Sequence, residues 1–442
     1  MYSPYMTQEY SFQEEYLRLY GVMPREVTFI VTEACNLCCT YCYQHNKSAR
    51  VMDFETAKRC VDVLFEEDAR KSKYINPHDA HGLILDFIGG EPLLEIDLID
   101  RIVDYFLARA LELKHRWATQ YMISMSTNGT LYFQNNVQRF VKKHEGRVSI
   151  GVTIDGDREL HDMCRRYPDG RGSYDDAAAA FEELLRRHGQ TGTKLTLAPG
   201  NIRYLAGAAR NMFERFGIRD LHANCVYEEG WELTHARVLY DQLCELSDWL
   251  LDNDLEARHR ISLFNFDRFR PLPPERNENW CGGTGKMLAF GVDGVIYPCL
   301  RYAPASLGPG VKPLVVGDAV HGIERTAEEK ATCEMLRGIT RASQSTDECM
   351  ACPIADGCAW CSAYCYERNG TPDKRTTYTC CMHKATALAN AYHWNRLMRK
   401  HGSCDRFAVN VPREWALDII SADEYDELVR LSAKPESHKE VQ

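Results

Sequence analysis

Three cysteines near the start of the chain have a spacing suited to holding a metal cluster. Cys35, Cys39 and Cys42 form a Cys-x3-Cys-x2-Cys run, with Tyr41 immediately before the last cysteine. They follow the alternating apolar segment 27–31, which predicts a strand, and α/β folds gather ligands at the C-terminal ends of strands. Iron–sulfur clusters usually take four thiolates. Three thiolates therefore predict a four-iron cluster with one iron open to a small ligand. The alternatives are a partial zinc site or chance clustering.

A second group of cysteines lies towards the C-terminus. Between Cys281 and Cys299 the sequence Asp293-Gly294 predicts a hairpin, because Asp-Gly between apolar runs is a turn signal. A hairpin with one thiolate before it and one at its end is a compact metal-binding device. This density of cysteines predicts bound metal. The other members of the group are Cys349, Cys352, Cys358, Cys361 and Cys380.

Composition narrows the class of protein. The chain has 442 residues, 19 cysteines and a formal net charge of −10. The first 25 residues contain no apolar secretory signal, so this many cysteines predicts a reducing compartment and a cytoplasmic metalloprotein. The negative charge argues against a nucleic-acid surface, and no window has the roughly 20 apolar residues of a membrane helix. We therefore expect neither nucleic acid nor a membrane as a partner.

Apolar periodicity predicts alternating strands and helices up to residue 255. Period-two segments predict strands, and period-3.6 segments predict helices. Six strand–helix units in succession imply a parallel sheet with right-handed crossovers. From the pattern alone, the sheet is either a partial barrel wound in one direction or a doubly wound sheet. The predicted strands are 26–31, 83–88, 121–126, 148–154, 194–198 and 221–227, and the predicted helices are 53–71, 96–115, 133–144, 174–188, 203–215 and 233–252.

Shifts in composition divide the chain into segments. Arginines interleaved with prolines over 256–280 predict a linker. We expect one helix through 385–391 and another near 413–431, ahead of a disordered polar tail from Ser432. The predicted segments are an N-terminal arm (1–25), the strand–helix domain (26–255), the linker (256–280), a cysteine-rich domain (281–400) and a C-terminal helix and tail (401–442).

The cysteine loop and the residues after the second predicted strand resemble the radical S-adenosylmethionine (SAM) superfamily. The second match is Gly89-Gly90-Glu91-Pro92, whose paired glycines let backbone approach a ligand closely. The resemblance implies an α/β fold, the partial (β/α)6 TIM-like barrel. It also implies that SAM chelates the open iron of the cluster held by the three loop cysteines, and that the Gly-Gly-Glu-Pro motif holds the SAM amino group.

The same resemblance implies further contacts to SAM. Residues at the ends of the third and fourth predicted strands match positions that the superfamily uses around the SAM ribose and the substrate pocket. After the fourth strand, one arginine matches a residue that pairs with the SAM carboxylate, and a guanidinium fork suits a carboxylate. Arg165 fits this position better than its neighbour Arg166. The implied cofactor-binding residues outside the glycine motif are Tyr41, Ser126, Asn128, Asp155 and Arg165.

The downstream cysteines resemble the SPASM extension of this superfamily, whose members modify peptides and proteins and bind two auxiliary iron–sulfur clusters. One spacing departs from the pattern, since two residues instead of three separate Cys358 from Cys361. With the SAM-binding cluster, the resemblance implies three 4Fe–4S clusters. It assigns Cys349, Cys352, Cys358 and Cys380 to one auxiliary cluster and Cys281, Cys299 and Cys361 to the other.

The second auxiliary set has only three thiolates, because no cysteine closely follows Cys281. An open iron there could coordinate the thiolate of a substrate peptide. Alternatively, Cys365 or Cys333 could supply the fourth ligand, and the sequence leaves both interpretations open. Cys38 and Cys381 adjoin proposed ligands and could exchange with them, although spacing favours their neighbours.

The runs 357–364, 375–378 and 382–385 resemble peptide maturases that act on cysteine-rich repeat precursors. The resemblance implies post-translational modification of a ribosomal precursor peptide. The expected product is a thioether from a cysteine sulfur to a substrate carbon, formed after a 5′-deoxyadenosyl radical removes a hydrogen. An external electron donor such as flavodoxin or ferredoxin is also expected. Only 34 residues precede Cys35, too few for a winged-helix domain, so we expect the leader peptide to dock elsewhere or on a separate protein.

Two rival functions fit parts of the same pattern. One is maturation of sulfatases, in which a radical SAM enzyme oxidises a cysteine or serine to formylglycine. The other is a non-catalytic iron–sulfur protein used for binding or electron transfer. Formation of 5′-deoxyadenosine separates the second rival from both enzymes, and the mass and remaining thiols of the product separate the two enzymes.

Overall fold

The computed structural model describes residues 24–75, 82–189, 191, 193–228, 230–279, 281–358 and 360–434. Nearly all of the predicted N-terminal arm (1–25) and the predicted tail beyond residue 434 lie outside the described residues. No helix in the described ranges is both long and apolar enough to cross a bilayer.

Parallel strands separated by helices build the first part of the described chain. The strands are β1 (Arg25–Thr32), β2 (Leu83–Gly89), β3 (Tyr121–Thr127), β4 (Val148–Val152), β5 (Lys194–Leu197) and β6 (Asp220–Cys225). Strands β1 to β4 pair in sequence order in one sheet, and β5 pairs with β6 in another. All these pairs are parallel. Sequence order without a reversal is the arrangement of a singly wound barrel. The predicted partial (β/α)6 barrel is confirmed.

The helices occupy the segments where apolar periodicity predicts them, with a few additions. For example, the Asp53 carboxylate caps the first helix by accepting a hydrogen bond from the Thr56 N–H at 2.8 Å. The helices are α1 (Phe54–Ala69), α2 (Ile96–Glu112), α3 (Asn135–Lys143), α4 (Arg158–Cys164), α5 (Tyr174–His188), α6 (Leu205–Phe216), α7 (Leu233–Asp252), α8 (Ala327–Gly338), α9 (Arg341–Gln344), α10 (Asp347–Met350), α11 (Ser362–Asn369), α12 (Cys380–Lys400), α13 (Arg413–Ala416) and α14 (Ala422–Ser432). Single 3₁₀ turns lie at Pro92–Glu95, Arg116–Ala118, Ile202–Tyr204, Gly282–Thr284 and Leu300–Tyr302.

Side chains bridge the gap between the two sheets. The Thr193 hydroxyl donates to the Val152 carbonyl at 2.8 Å and accepts from the Ile154 N–H at 3.1 Å. The Asp155 carboxylate accepts from the Thr196 N–H at 3.2 Å. These bonds take the place of a backbone ladder between β4 and β5, and they bring Asp155 to the inner face of the barrel.

The predicted hairpin is confirmed, and it extends the barrel sheet. Its strands β8 (Ala289–Phe290) and β9 (Val295–Tyr297) pair antiparallel, and β8 pairs parallel with β1. The ring of Phe290 lies 5.0 Å from that of Phe29 on β1, so the hairpin shares the barrel's core. The remaining short strands are β7 (Arg260–Ile261), paired with β6, and β10 (Gly317–Asp318) and β11 (Gly322–Ile323), which continue the sheet beyond β9.

The C-terminal helices pack against the barrel's last long helix. On α12, Tyr392 donates a hydrogen bond to Asp248 of α7 at 2.9 Å, and the buried His393 ring bonds Ser247 at 3.0 Å. This packing holds Cys380, the first residue of α12, beside the barrel. The hairpin and α12 therefore attach the cysteine-rich part to the barrel at two separate places.

Three details of the structure differ from the predicted elements. Helix α4 is not among the predicted helices; it is short, and the Asp157 carboxylate begins it by accepting from the Leu160 N–H at 2.9 Å. Strand β7 lies inside the predicted linker (256–280). The helix predicted near 413–431 is two helices, because a capping box between Ser421 and Glu424 begins α14 anew.

Candidate functional site

The loop after β1 holds Cys35, Cys39 and Cys42 close together. The charges of these thiols act on one another, and burial is the largest effect on two of them, raising the pKa of Cys39 to about 11 and raising that of Cys35. Burial would lower the pKa of Lys47, but the three thiolates raise it. The ammonium of Lys47 therefore stabilises negative charge on the sulfurs. Cys38 is exposed and does not act on them in this way.

The two glycines of the Gly-Gly-Glu-Pro motif let β2 pack against the cysteine loop. A Cβ on Gly90 would lie 2.2 Å from the Ala34 carbonyl oxygen and 2.9 Å from Cys35 Cβ, and one on Gly89 would lie 2.2 Å from the Thr32 carbonyl oxygen. The Gly90 and Glu91 N–H groups donate to the carbonyls of Thr32 and Ala34 at 3.0 and 2.9 Å. The motif, which ends at Pro92, thus sets the position of the loop as well as lining the space beside it.

Glu91 is a buried carboxylate that joins the ends of two strands. It is 1% exposed and accepts hydrogen bonds from the Thr127 hydroxyl at 2.5 Å, the Asn128 N–H at 2.8 Å and the Leu93 N–H at 3.1 Å. Burial raises its pKa, which these bonds oppose. The Asn128 amide in turn donates to Asn36 in the cysteine loop at 2.8 Å. The end of β3 therefore holds the loop through Asn128.

Tyr41, Asp155 and Arg165 meet beside the thiols. The Tyr41 hydroxyl donates to the Asp155 carboxylate, and Arg165 Nη1 donates to the Tyr41 hydroxyl oxygen at 2.9 Å. Arg165 is 7% exposed, and its charge lowers the pKa of Cys39. In contrast, Arg166 is exposed and donates to the carbonyl of Asp162 at 2.6 Å. The buried Nε of Arg165 has no hydrogen-bond partner in the described part of the chain, which leaves a donor for a ligand.

His161 holds the backbone of Arg165 in place. Its Nδ1 accepts from the Asp155 N–H at 3.3 Å, so the ring carries its proton on Nε2, which bonds the Ser173 hydroxyl at 3.0 Å. Ser173 donates to the Arg165 carbonyl at 2.8 Å. Burial and then Arg165 lower the pKa of His161 to about 3, so this relay stays neutral. We interpret it as structural support for Arg165.

A polar row crosses the inner face of the barrel below these groups. Thr28, Asp86 and Ser124 are register partners on β1, β2 and β3, and Thr28 donates to the Asp86 carboxylate at 3.3 Å. Burial, followed by the charge of Glu26, raises the pKa of Asp86 to about 7. Ser126, two residues nearer the C-terminal end of β3, is exposed. The barrel lumen is therefore polar.

Four C-terminal cysteines form a second group. Burial raises the pKa of Cys380 to about 12, and the charges of three other cysteines add to this effect: Cys358, Cys349 and Cys352. Arg375 donates to Cys358 Sγ at 3.4 Å. Cys381 points elsewhere, with its Sγ bonding the Tyr378 carbonyl at 3.4 Å.

Three further cysteines, Cys281, Cys299 and Cys361, form a third group. After burial, the charges of Cys361 and Cys281 raise the pKa of Cys299. Cys281 Sγ lies 3.2 Å from the hydroxyl of Ser362, whose side chain is fully buried. A Cβ on Gly283 would lie 3.0 Å from the Ser362 hydroxyl and 3.2 Å from Cys299 Sγ, so any larger residue would crowd this sulfur.

The two candidate fourth ligands occupy different surroundings. Cys365 is fully buried; burial raises its pKa, and the charge of Cys281 adds to that effect. Cys333 is also buried, but Glu324 and Arg337 are the charges that act on it. The structure therefore places Cys365, and not Cys333, near the third group.

The spacing of the thiols does not suit single zinc ions. Among the described residues, no three cysteine sulfurs lie within 4.8 Å of one another. Tetrahedral zinc with Zn–S bonds of about 2.3 Å would hold its sulfurs roughly 4 Å apart. A multi-iron cluster spreads its ligands more widely, so the three groups of thiols fit clusters better than zinc.

Two residues connect the first and third groups of thiols, and sequence reasoning missed both. Arg301 lies 4.7 Å over the ring of Tyr43, which directly follows Cys42, and it donates to Glu228 at 2.7 Å. The charge of Cys361 raises the pKa of Arg301, although burial opposes it. The sequence signal for Arg301 was its position two residues after Cys299. Its contact with Tyr43 could not be read from the sequence, because 258 residues separate the two.

The radical SAM superfamily model matches residues 29–201, which include the cysteine loop, the Gly-Gly-Glu-Pro motif and Arg165. The chain carries a radical SAM domain. The superfamily implies SAM and a 4Fe–4S cluster, and its members are enzymes.

Two relatives match different shares of the chain. An uncharacterised protein of Methanocaldococcus jannaschii is 30% identical over 191 residues, which are 43% of this chain and 59% of that relative. The chain thus spans less than two thirds of that protein. The cysteine-type anaerobic sulfatase-maturating enzyme of Clostridium perfringens is 25% identical over 285 residues, 61% of this chain and 72% of that enzyme.

Solved structures share the fold. The structure of anSMEcpe with bound AdoMet and Kp18Cys peptide has a TM-score of 0.60 and 18% identity, covering 86% of this chain and 99% of that chain. Streptococcus suis SuiB bound to its precursor peptide SuiA has a TM-score of 0.51 and 13% identity, covering 83% and 79%. At these identities the likeness shows a shared fold and nothing more.

Proposed function

We propose that this chain modifies a ribosomal precursor peptide by forming thioether crosslinks from cysteine sulfur to a substrate carbon. The observation that carries the proposal is the contact between Tyr43 and Arg301. This contact links two thiol groups. The first is the group that would bind SAM, and the second has only three proposed thiolates. A substrate cysteine held at the second group would thus lie beside the carbon activated at the first.

Cys35, Cys39 and Cys42 would hold the SAM-binding cluster. Their thiols converge without a fourth cysteine acting on them, and Lys47 and Arg165 offset their negative charge. The same surroundings fit SAM, because the unpaired Nε of Arg165 offers a donor for its carboxylate. When bound, the cluster and SAM supply the radical that removes a hydrogen atom from the substrate. The residues of this chain position the substrate and exclude water.

The surroundings of these thiols also supply candidate contacts to the rest of SAM. Glu91 and Asn128 lie at the C-terminal edge of the barrel strands, and Tyr41 with Asp155 lies beside Arg165. We propose that they orient the amino group and ribose. Gly89, Gly90, Pro92 and Ser126 would line the same space.

We propose that Cys281, Cys299 and Cys361 hold one auxiliary 4Fe–4S cluster and that Cys349, Cys352, Cys358 and Cys380 hold the other. In forming a thioether, the C–H and S–H bonds break and a C–S bond forms. One hydrogen atom leaves to the SAM-derived radical. The other leaves as a proton, and the surplus electron would need an acceptor, which an auxiliary cluster would supply. The balance therefore requires an acceptor near the bound sulfur, which the three-thiol group offers.

The proposed enzyme would also need protein partners and a division of the chain into domains. A flavodoxin or ferredoxin would donate the first electron, and a separate protein would recognise the leader peptide in the cytoplasm. The barrel (26–255), linker (256–280) and SPASM domain (281–400) would be the working units. The packing of α12 on α7 supports the idea that the last two move with the barrel.

The iron content tests the proposed set of clusters. The anaerobically reconstituted protein should hold about twelve irons per chain, four for each of three clusters. Four irons with zinc at the C-terminal sites would overturn the SPASM assignment. No 5′-deoxyadenosine on addition of SAM and reductant would instead favour a non-catalytic iron–sulfur protein.

The product tests the reaction. Co-expression with a small cysteine-rich precursor peptide should yield a product lighter by two hydrogens per link, with one fewer alkylatable thiol for each link. A product lighter by two hydrogens in which every cysteine can still be alkylated would contradict a thioether.

Sulfatase maturation is the second candidate, favoured by the 25% identity to the Clostridium perfringens enzyme. It would convert a cysteine or serine to formylglycine, which carries an aldehyde. Incubation with a cysteine-type sulfatase peptide and SAM, followed by labelling with a hydrazide probe, separates the two functions. An aldehyde product would replace the thioether proposal.

A further inference from the structure

One lysine stands inside the barrel without a partner. Lys194 begins β5 and is in register with His222 on β6. Its strand neighbours Leu195 and Leu197 are fully buried on the outer face, under the helices. Because side chains alternate along a strand, Lys194 projects into the lumen. Solvent reaches this side chain in the lumen, although the surrounding barrel partly desolvates its ammonium group. In the described part of the chain no hydrogen bond or ion pair is found for it.

Arg301 presents a second positive charge to the same space. It is held by stacking on Tyr43 at 4.7 Å and by the hydrogen bond to Glu228 at 2.7 Å. One guanidinium edge is used by Glu228, and a guanidinium has five N–H donors, so others are left for a ligand. The position of Arg301 beside the three-thiol group puts these donors near a substrate held there.

The two cations repel each other. Burial lowers the pKa of Lys194, the charge of Arg301 lowers it further, and the attraction of Asp155 opposes this less strongly. Asp155 is already engaged by Tyr41 and by the Thr196 N–H. The nearest carboxylates of the described chain are thus bonded to other groups. An anion between Lys194 and Arg301 would relieve the repulsion.

We propose that Lys194 and Arg301 bind a carboxylate of the substrate peptide, so that the modified segment carries an aspartate or glutamate close to its reacting cysteine. The inference rests on the proposed function, because the cysteine is placed at the three-thiol group beside Arg301. The charges of Arg301, beside that group, and of Asp155, on the SAM side, both act on Lys194. A carboxylate there would hold the peptide between its bound sulfur and its activated carbon.

SAM also has a carboxylate, and the two sources need to be separated. Arg165, which directly contacts Tyr41 and acts on Cys39, is the nearer partner for the SAM carboxylate. If the peptide is the source, Lys194→Met should leave SAM affinity unchanged in equilibrium dialysis. Weakened SAM binding with an unchanged peptide preference would overturn the inference in favour of SAM.

A display selection tests the peptide preference directly. The reconstituted holoenzyme with SAM would capture random peptides that share one fixed cysteine. Wild type should enrich aspartate and glutamate about tenfold at one or two offsets from the cysteine, the typical value of a charge-assisted bond. Lys194→Met should flatten this preference, and Lys194→Glu should replace it with lysine and arginine at the same offsets.

A control variant and two folding measurements separate a lost peptide preference from a misfolded enzyme. Lys330→Glu makes the same charge change on an exposed part of α8 and should select like wild type. Iron content and thermal unfolding would show that each variant is folded. A wild-type pool without acidic enrichment, or a Lys194→Met pool identical to it, would overturn the inference. If thioethers form but acidic residues are not enriched, the carboxylate-binding inference is wrong and the proposed function stands. If acidic residues are enriched but no thioethers form, the proposed function is wrong and carboxylate binding stands.

Discussion

The N-terminal three-thiol group and the C-terminal four-thiol group differ in what surrounds their sulfurs. Around the first, Lys47, Arg165, Tyr41 and Asp155 bring charge and hydrogen-bonding groups to one space, and the Arg165 Nε has no partner there among the described residues. Around the second, an arginine again lies against the thiols, and a fourth cysteine completes the group.

In the four-thiol group, Arg375 donates to Cys358, and the buried His383 ring bonds the Ile354 carbonyl at 2.9 Å. The Arg375 Nε, like the Arg165 Nε, has no hydrogen-bond partner among the described residues. Four thiols can close a four-iron site, whereas three leave one iron open, so the number of cysteines, and not the pairing of the polar groups around them, distinguishes the two sites. The following substitutions test each side of this comparison.

The largest expected effect comes from removing a thiol of the open group. Cys42→Ala should abolish 5′-deoxyadenosine formation, because the cluster that would cleave SAM loses a ligand. Cys361→Ala should spare part of this cleavage but lose crosslinking. Chromatography of the nucleoside and mass spectrometry of the peptide measure the two activities separately.

The contrast between these two variants carries the test. Equal loss of both activities in the two variants would leave the open and auxiliary groups indistinguishable in role. Cys38→Ala, which removes an exposed neighbouring thiol, is the control and should keep both activities.

The next effect concerns the unpaired donor beside the open group. Arg165→Ala should weaken SAM binding about 10- to 100-fold, the usual effect of removing one charge-assisted hydrogen bond from a buried site. Arg165→Lys should fall between, since an ammonium keeps the charge but lacks the fork. Equilibrium dialysis with SAM measures the affinity, and iron content shows that the cluster is still bound.

Arg166→Ala is the matched control for this position. The Arg166 side chain is exposed and bonds only the Asp162 carbonyl among the hydrogen bonds described, so its removal should leave SAM affinity within twofold or so. A larger loss for Arg166→Ala than for Arg165→Ala would reverse the assignment.

A smaller effect tests how the open group is positioned. Gly90→Ala would place a Cβ against the Ala34 carbonyl, which cannot move without shifting the cysteine loop. We expect a loss of about 1–3 kcal/mol in the free energy of unfolding, measured by urea denaturation, together with less bound iron. Gly207→Ala on α6 meets open space and should instead stabilise the chain by up to about 1 kcal/mol. An unchanged stability for Gly90→Ala would remove the packing argument.

The smallest effect depends on pH and tests the polar lumen below the open group. Burial, followed by Glu26, raises the pKa of Asp86 to about 7, from about 4 in the unfolded chain. Between these values the folded state holds more protons on Asp86, so its contribution to stability falls as pH rises. Asp86→Asn removes this dependence, and its stability relative to wild type should increase from pH 4 to pH 7.

Urea denaturation across this pH range measures the difference for the Asp86 variant. Asp423→Asn, at an exposed position in the first turn of α14, should show no such trend. A difference that stays constant with pH would mean that the Asp86 carboxyl is not isolated from solvent.

Most of the fold could be predicted from local pattern. The six barrel strands and their helices lie where periodicity predicts them, and Asp293-Gly294 does form the hairpin. Helix α4 was missed because seven residues give too little periodicity, and the break before α14 because a capping box can restart a helix within one apolar pattern. In both cases the local sequence pattern held too little information to place the helix boundary.

The residues of the candidate site also differ in how well the local sequence pointed to them. Spacing favoured Cys39 over Cys38 and Cys380 over Cys381, and a match to one motif favoured Arg165 over Arg166; the structure brings the favoured residue to its group in each case. Lys194 and Arg301 had no motif to point to them. Apart from the position of Arg301 two residues after Cys299, nothing near them in the chain distinguishes them from surface cations.

The sequence by itself determined which thiols follow the first strand and where the strands end, because both depend on residues a few positions apart. Only the tertiary structure decided what faces those thiols. Arg301 meets Tyr43 across 258 residues of chain, and Cys281 meets Ser362 across 81. Such contacts follow from the hairpin adding to β1 and α12 packing on α7, and the packing of distant segments leaves no mark on the spacing within either one.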